Sequence, residues 1–62
     1  MKIIVVFRKS ITKPPGDYIA FFAGDKGTWG QGNNDNEAIN SLFRTAHIEK
    51  PDTFEVERVI EP

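Results

Sequence analysis

The chain has 62 residues, a formal net charge of −1 and no cysteine. A chain of this length forms one domain and buries only about 60% of the surface that it exposes when unfolded. Without cysteine, disulfide bonds and thiolate metal sites are excluded, and His47 is the only histidine, so a histidine-rich metal site is excluded as well. We therefore expect neither a metal nor a cofactor.

The charge is unevenly distributed along the chain. Five basic and two acidic residues give residues 1–31 a charge of +3, while three basic and seven acidic residues give residues 32–62 a charge of −4. The near-neutral total argues against a dedicated nucleic-acid-binding protein. No window approaches the roughly 20 apolar residues of a membrane span, and the apolar start at residues 1–8 is too short for a signal peptide. We expect a cytoplasmic protein without membrane contact.

Three strands are predicted in the first half of the chain. Residues 3–7 and 18–22 are runs of β-branched and aromatic side chains, which favour strands. A loop around Pro14, Pro15 and Gly16 separates them. A tight connection at residues 24–27 predicts that the next strand is an antiparallel neighbour. This third strand, at residues 28–31, is short and is weakened by its glycines.

A helix and a last strand follow. Asn34 and Glu37 have the spacing of a capping box, and the apolar residues after them recur at helical spacing: Ala38, Ile39, Leu42, Phe43 and Ala46. Pro51 ends this region. In the fourth strand that follows, Phe54, Val56 and, after Arg58, Ile60 alternate with Glu55, Glu57 and Val59, so we expect the first set to face the core. The prediction is an α+β fold, a single β-β-β-α-β domain over residues 1–62, with an antiparallel sheet and one helix packed on one face.

The first two strands are apolar on both sides. One helix covers only one face of a sheet, so the residues of the other face would lie in water: Ile4, Val6, Ile19 and Phe21. Contiguous patches of this kind mark interfaces, and we expect this face to bury itself in a homodimer. Trp29, on the third strand, is either a core residue or a half-exposed contact anchor.

Catalytic groups are not apparent in the sequence. Ser10 and Ser41 have no neighbouring base, and the glycines between residues 24 and 32 lack the spacing and the Lys-Ser/Thr ending of a phosphate-binding loop. The oxygens of residues 33–36 lack the twelve-residue calcium-loop pattern. We expect a binding protein rather than an enzyme.

Residues 18–38 resemble the HicB-type antitoxin domain. Tyr18 and Ala20 are followed by Gly27 and then, in one register, by Gly32, Asn34, Glu37 and Ala38, which matches the family's pattern of Tyr-x-Ala, a glycine opening the third strand, a second glycine and an Asp-Thr-x-Glu-Glu-Ala helix start. The resemblance gives Gly27, Gly32, Asn34, Glu37 and Ala38 structural roles. It departs from the family at residues 23–27, which replace a Pro-Asp-Leu-Pro-Gly hairpin, and at Asn36.

The resemblance implies a partner, a small toxin that cleaves messenger RNA and is neutralised by direct contact. The sequence ends at Pro62, so we expect a stand-alone member without the C-terminal DNA-binding element, or an orphan with another protein partner. A toxin that binds RNA has a basic surface, which an acidic last strand complements. We expect the partner to contact Trp29, Glu55, Glu57 and Glu61. The alternative is that the glutamates only keep an exposed edge strand soluble.

A second class of function remains open at this point. Arg8, Lys9 and Lys13 near Tyr18 form a basic-aromatic cluster, and a small nucleic-acid-binding module using the basic N-terminal half is the alternative. Salt-dependent binding to RNA or DNA would favour it.

Overall fold

The computed structural model describes residues 1–8 and 18–61, which form a four-stranded sheet with one helix packed on one face. The strands are β1 (Lys2–Arg8), β2 (Tyr18–Phe22), β3 (Asp25–Gly32) and β4 (Glu55–Glu61), and helix α1 (Asp35–Ala46) connects β3 to β4. The α+β class, the element order and the single packed helix are confirmed. The loop predicted around Pro14, Pro15 and Gly16 lies outside the described residues.

The sheet is mixed rather than wholly antiparallel. Its strand order is β3-β2-β1-β4, with β2 antiparallel to both β1 and β3 and with β4 parallel to β1. The direction of β4 follows from the helix, because α1 carries the chain back along the sheet before β4 begins. The prediction of antiparallel pairing therefore holds for the first three strands, and the last joins in parallel.

Strand β3 is longer than its sequence suggested. It begins at Asp25, which pairs with Phe22 across the two-residue connection of Ala23 and Gly24. Gly24 has a φ of 85°, a left-handed conformation that glycine adopts without steric cost. The register shifts between Phe21 and Phe22, so a bulge absorbs the irregular glycine-rich start of β3.

The start of α1 is capped as the sequence predicted. The side-chain oxygen of Asn34 accepts a hydrogen bond from the backbone N–H of Glu37 at 2.9 Å. Glu37 in turn accepts from the Asn34 amide at 3.1 Å and from the backbone N–H of Asn33 at 3.4 Å. The first of these bonds satisfies a backbone donor that the first turn of a helix leaves without an intrahelical partner, and the other two hold the Glu37 side chain against the cap.

The end of α1 lies at His47, before the Pro51 that was expected to close the region. His47 adopts a left-handed conformation with φ of 58°. Its backbone N–H donates to the carbonyl of Arg44, and the N–H of Ile48 donates to that of Phe43, both at 3.3 Å. This pair of bonds is a Schellman-type ending, so backbone geometry at His47 stops the helix.

The core lies between α1 and the sheet. Its buried residues are Ile3, Val5, Ala20, Ala38, Ile39, Leu42 and Phe43. Phe43 extends this core, because its ring packs 5.5 Å from that of Phe22 and 5.9 Å from that of Phe54. Helix α1 lies over β3 and β2 and does not reach across to β4. For that reason Ile60, expected to face the core from the last strand, is 64% exposed.

Candidate partner-binding surface

The face of the sheet opposite α1 carries two cross-strand rows of side chains. We call it the open face. The strand registers define its rows: Trp29, Phe21, Ile4 and Glu57 in the first; Gln31, Ile19, Val6 and Val59 in the second. Side chains alternate between the two sides of a strand, so both rows point away from the helix. The described residues form no second layer over this face.

The open face is apolar at its centre. The two central strands, β1 and β2, contribute Ile4, Val6, Ile19 and Phe21, which are half-buried among their neighbours. At one edge of the face, on β3, Trp29 is 50% exposed, and at the other edge, on β4, Val59 is 39% exposed. A shallow depression of about 310 Å³ lies against the β3 side: Arg8, Ile19, Phe21, Trp29 and Gln31 line it. Trp29 is thus a surface residue and not part of the core.

The acidic residues of the last strand border the same face. Glu55 and Glu57 project from β4 on the open side, and Glu61 ends the strand. The Nζ atom of Lys2 lies 2.9 Å from a carboxylate oxygen of Glu57, and this hydrogen bond, followed by the charge of Glu57, raises the pKa of Lys2. Glu57 is therefore partly neutralised within the chain, and the charge of Glu55, which pairs with Lys2 in the strand register, adds a smaller upward effect on the pKa of Lys2.

The expected partner-binding residues do not lie side by side. In the first row, Phe21 and Ile4 stand between Trp29 and Glu57, so the two ends are three strand spacings apart, about 14 Å. A partner that touches both ends must also cover the apolar centre. The residues expected to mediate self-association and the residues expected to bind a partner therefore lie on the same surface.

The other side of β4 carries a second ion pair. The guanidinium group of Arg58 binds Asp35, with Arg58 Nε donating to a carboxylate oxygen of Asp35 at 2.9 Å. That hydrogen bond lowers the pKa of Asp35. It ties the first turn of α1 to β4, and sequence reasoning missed it because 23 residues separate the partners.

The glycines of β3 set the distance between helix and sheet. A Cβ atom on Gly30 would lie 2.1 Å from the backbone nitrogen of Leu42, and one on Gly32 would lie 2.5 Å from Cβ of Glu37. At Gly27 the nearest atom is a carboxylate oxygen of Asp25 at 3.4 Å, which is ordinary contact. The close approach of α1 to β3 therefore requires glycine at positions 30 and 32. The sequence pattern singled out Gly32 but not Gly30. Ala38 is fully buried against the same strand.

The structure describes only one of the three basic residues on which the nucleic-acid-binding alternative rests. Lys9 and Lys13 lie outside the described residues, whereas Arg8 ends β1 and contributes to the depression beside Trp29. Within residues 1–8 and 18–61, no three His, Asp or Glu side chains are grouped so that they could hold a metal ion. No helix in the same described part is long and apolar enough to cross a membrane.

Comparison with known proteins gives no relative. No protein-family model matches the chain, and no curated protein and no solved structure is significantly similar to it.

Proposed function

We propose that this chain is a non-catalytic, cytoplasmic protein-binding domain of the HicB-like antitoxin kind, and that its open face binds a small basic protein. One observation carries the proposal: a half-exposed tryptophan, an apolar centre and a carboxylate border occupy a single face of the sheet. Exposed apolar patches with a polar rim are typical of protein interaction sites.

The two parts of the face would serve different purposes in binding. Trp29 offers a large aromatic surface at low conformational cost, and tryptophan is one of the residue types enriched among binding hot spots. The glutamates of β4 lie at the rim, where charges act chiefly on the association rate and on the choice of partner. Glu55 is the stronger candidate of the two visible carboxylates, because Lys2 already binds Glu57.

The resemblance to HicB-type antitoxins supplies the kind of partner. The β-β-β-α-β order and the glycine, cap and alanine positions at the start of α1 agree with that family's pattern. A toxin that cleaves messenger RNA binds a polyanion, so its working surface is basic and suits an acidic rim. We infer that the candidate partner is a small basic protein encoded beside this chain.

A charge-reversal experiment tests the proposal. The Glu55→Lys/Glu57→Lys variant should capture the basic protein from the neighbouring reading frame more weakly than the unmodified chain, most visibly at low salt. The matched control is Glu49→Lys/Asp52→Lys, which makes the same change in net charge at exposed positions in the connection between α1 and β4.

The outcomes separate the functions under consideration. Loss of capture in the β4 variant alone, with circular dichroism unchanged, supports binding through the acidic border. If the β4 variant captures the basic protein as well as the unmodified chain does, the glutamates only protect the edge strand. Binding of single-stranded RNA or duplex DNA that weakens steeply with salt, without protein capture, would favour the nucleic-acid alternative.

A further inference from the structure

Strand β4 is an edge of the sheet, and one row of its backbone groups points outward. Along a strand, the N–H and C=O groups of successive residues point alternately to the two sides. The N–H of Glu55 donates to the carbonyl of Met1 at 2.9 Å, so every second residue from Glu55 onward bonds to β1. Within residues 1–8 and 18–61, no strand lies on the outer side of β4. The residues whose N–H and C=O groups face that side are Val56, Arg58 and Ile60.

This edge lacks most of the features that keep natural edges from pairing, namely short length, bulges, proline and lysine. Strand β4 is seven residues long, contains neither proline nor lysine, and pairs with β1 without a register shift. Its second half exposes apolar side chains on both sides of the sheet, with Val59 39% and Ile60 64% exposed. The opposite edge, β3, has a register shift and several glycines. Strand β4 is therefore the edge better suited to accept another strand.

The open side of β4 carries a net negative charge. Glu55 and Glu57 are exposed there, and Lys2 lies behind them on β1, with its Nζ atom 2.9 Å from Glu57. Lys2 supplies one positive charge for two carboxylates, and a carboxylate accepts more than one hydrogen bond. Arg8 and Glu61 occupy opposed positions at the far end of the same two strands and add no net charge. A strand beside β4 thus meets carboxylates before it meets Lys2.

The helix side of β4 has a different character. Arg58 is balanced by its ion pair with Asp35. Because α1 covers β3 and β2 but not β4, an apolar groove of about 210 Å³ remains open on this side of β1 and β4. The rings of Phe7 and Tyr18, whose centroids are 5.0 Å apart, line it together with Ile60. An apolar side chain placed beside Ile60 would extend this packing.

We propose that the outer edge of β4 binds an extended peptide segment, which joins the sheet as a fifth strand. The segment alternates lysine or arginine, on the open side, with aliphatic residues on the helix side. In such strand addition the main-chain hydrogen bonds supply affinity and the alternate side chains supply specificity. A second copy of β4 is a poor occupant, because antiparallel pairing of two β4 strands brings glutamates beside glutamates.

This binding edge is distinct from the open face of the proposed function. Its hydrogen bonds come from the backbone of β4, whereas Trp29 lies three strand spacings away, about 14 Å. A peptide on the edge should therefore leave the fluorescence emission of Trp29 unchanged. The experiment uses a synthetic peptide and no partner protein, so its failure leaves the proposed function untouched.

Amide hydrogen exchange followed by nuclear magnetic resonance tests the proposal on the unmodified chain. The probe is an acetylated and amidated octapeptide of alternating lysine and valine. At saturation we expect exchange of the outward amides, those of Val56, Arg58 and Ile60, to slow about tenfold or more. The amides of Glu57 and Val59 already bond to β1 and should change little. Two control octapeptides should bind at least about tenfold more weakly: alternating glutamate and valine, and four lysines followed by four valines.

A substitution on β4 provides the second measurement. Ile60→Pro removes an outward donor without breaking a bond to β1, so the dissociation constant of the lysine–valine peptide should rise about tenfold or more. Ile60→Ala keeps that N–H and should weaken binding less. If Ile60→Pro does not fold, the exchange measurement on the unmodified chain decides.

Four results would overturn the proposal. They are unprotected outward amides in a complex that forms, equal binding of the three peptides, a change in Trp29 emission on peptide binding, and no saturable binding up to about millimolar peptide. Protection of the outward amides that rises with chain concentration, without peptide, would identify a second copy as the occupant and would overturn it as well.

Discussion

Helix α1 lies so close to β3 that its backbone leaves no room for a Cβ atom at Gly30, and Gly30→Ala is the substitution that tests this contact. The added Cβ would lie 2.1 Å from the nitrogen of Leu42, 2.5 Å from the carbonyl oxygen of Ala38 and 2.7 Å from Cα of Leu42. All three are backbone atoms, so no side chain can rotate away. Restoring an ordinary contact of about 3.4 Å requires the helix to move out by roughly 1.3 Å.

The cost of that displacement is large for this domain. Overpacking a core by one methyl group typically costs about 1–3 kcal/mol, and more where the obstacle is backbone. A single core in a chain this short supplies only about 3–5 kcal/mol. We therefore expect Gly30→Ala to remove about half or more of the free energy of unfolding, seen as a fall in the midpoint of a urea titration followed by circular dichroism.

Gly27→Ala is the matched control on the same strand. Its Cβ would meet only a carboxylate oxygen at 3.4 Å, and replacing glycine at a compatible position stabilises a protein by about 0.4–1 kcal/mol through the unfolded state. The two alanine variants should thus change stability in opposite directions. Equal midpoints for Gly30→Ala and Gly27→Ala would refute the close approach of α1 to β3.

Three further predictions concern the helix and its attachments. Asn34→Ala should lower the free energy of unfolding by about 0.5–2 kcal/mol through loss of the cap, and Phe43→Ala by about 3–5 kcal/mol through the cavity it leaves; equal small losses in urea titrations would mean that the helix is misplaced. His47→Gly should raise the unfolding free energy by about 0.5–1 kcal/mol, because glycine relieves the left-handed conformation, and a lower melting temperature would argue against that ending. Arg58 lowers the pKa of Asp35, so the pair stabilises the folded state above the unfolded pKa of about 3.9 and loses its effect as pH falls through the lower folded value. The difference of about 0.2–1 kcal/mol between the unmodified chain and Arg58→Gln at pH 7 should therefore shrink in urea titrations as the pH is lowered toward 2, and a difference that stays constant with pH would contradict the pairing.

The sequence predicts the elements of this fold well where the signal is local. The Asn34 and Glu37 spacing locates the start of α1, and the apolar side chains on both sides of the first two strands anticipate a sheet that one helix cannot cover. These patterns depend on residues close together in the chain, whose geometry the backbone fixes. The direction of β4 depends instead on where α1 returns the chain, which no local pattern states.

The surface was harder to predict than the fold for the same reason. Trp29 could be core or surface, and only the register with Phe21 places it on the open face. The sequence suggested an apolar patch and an acidic border separately, and their union required the order β3-β2-β1-β4. The ion pair between Arg58 and Asp35 was not predicted either, because Asp35 begins α1 and lies 23 residues before Arg58 in the chain.

The claim that binding occurs through the open face has a built-in reporter, because Trp29 is the only tryptophan and is half exposed on that face. The decisive measurement is the fluorescence of Trp29 and its quenching by acrylamide, in the dilute chain and in its complex with the proposed basic partner protein, with that protein's own tryptophans replaced. Binding through the open face predicts a blue-shifted emission and a reduced quenching constant in the complex. Unchanged emission and quenching in a complex that demonstrably forms would contradict it and move the contact to another surface.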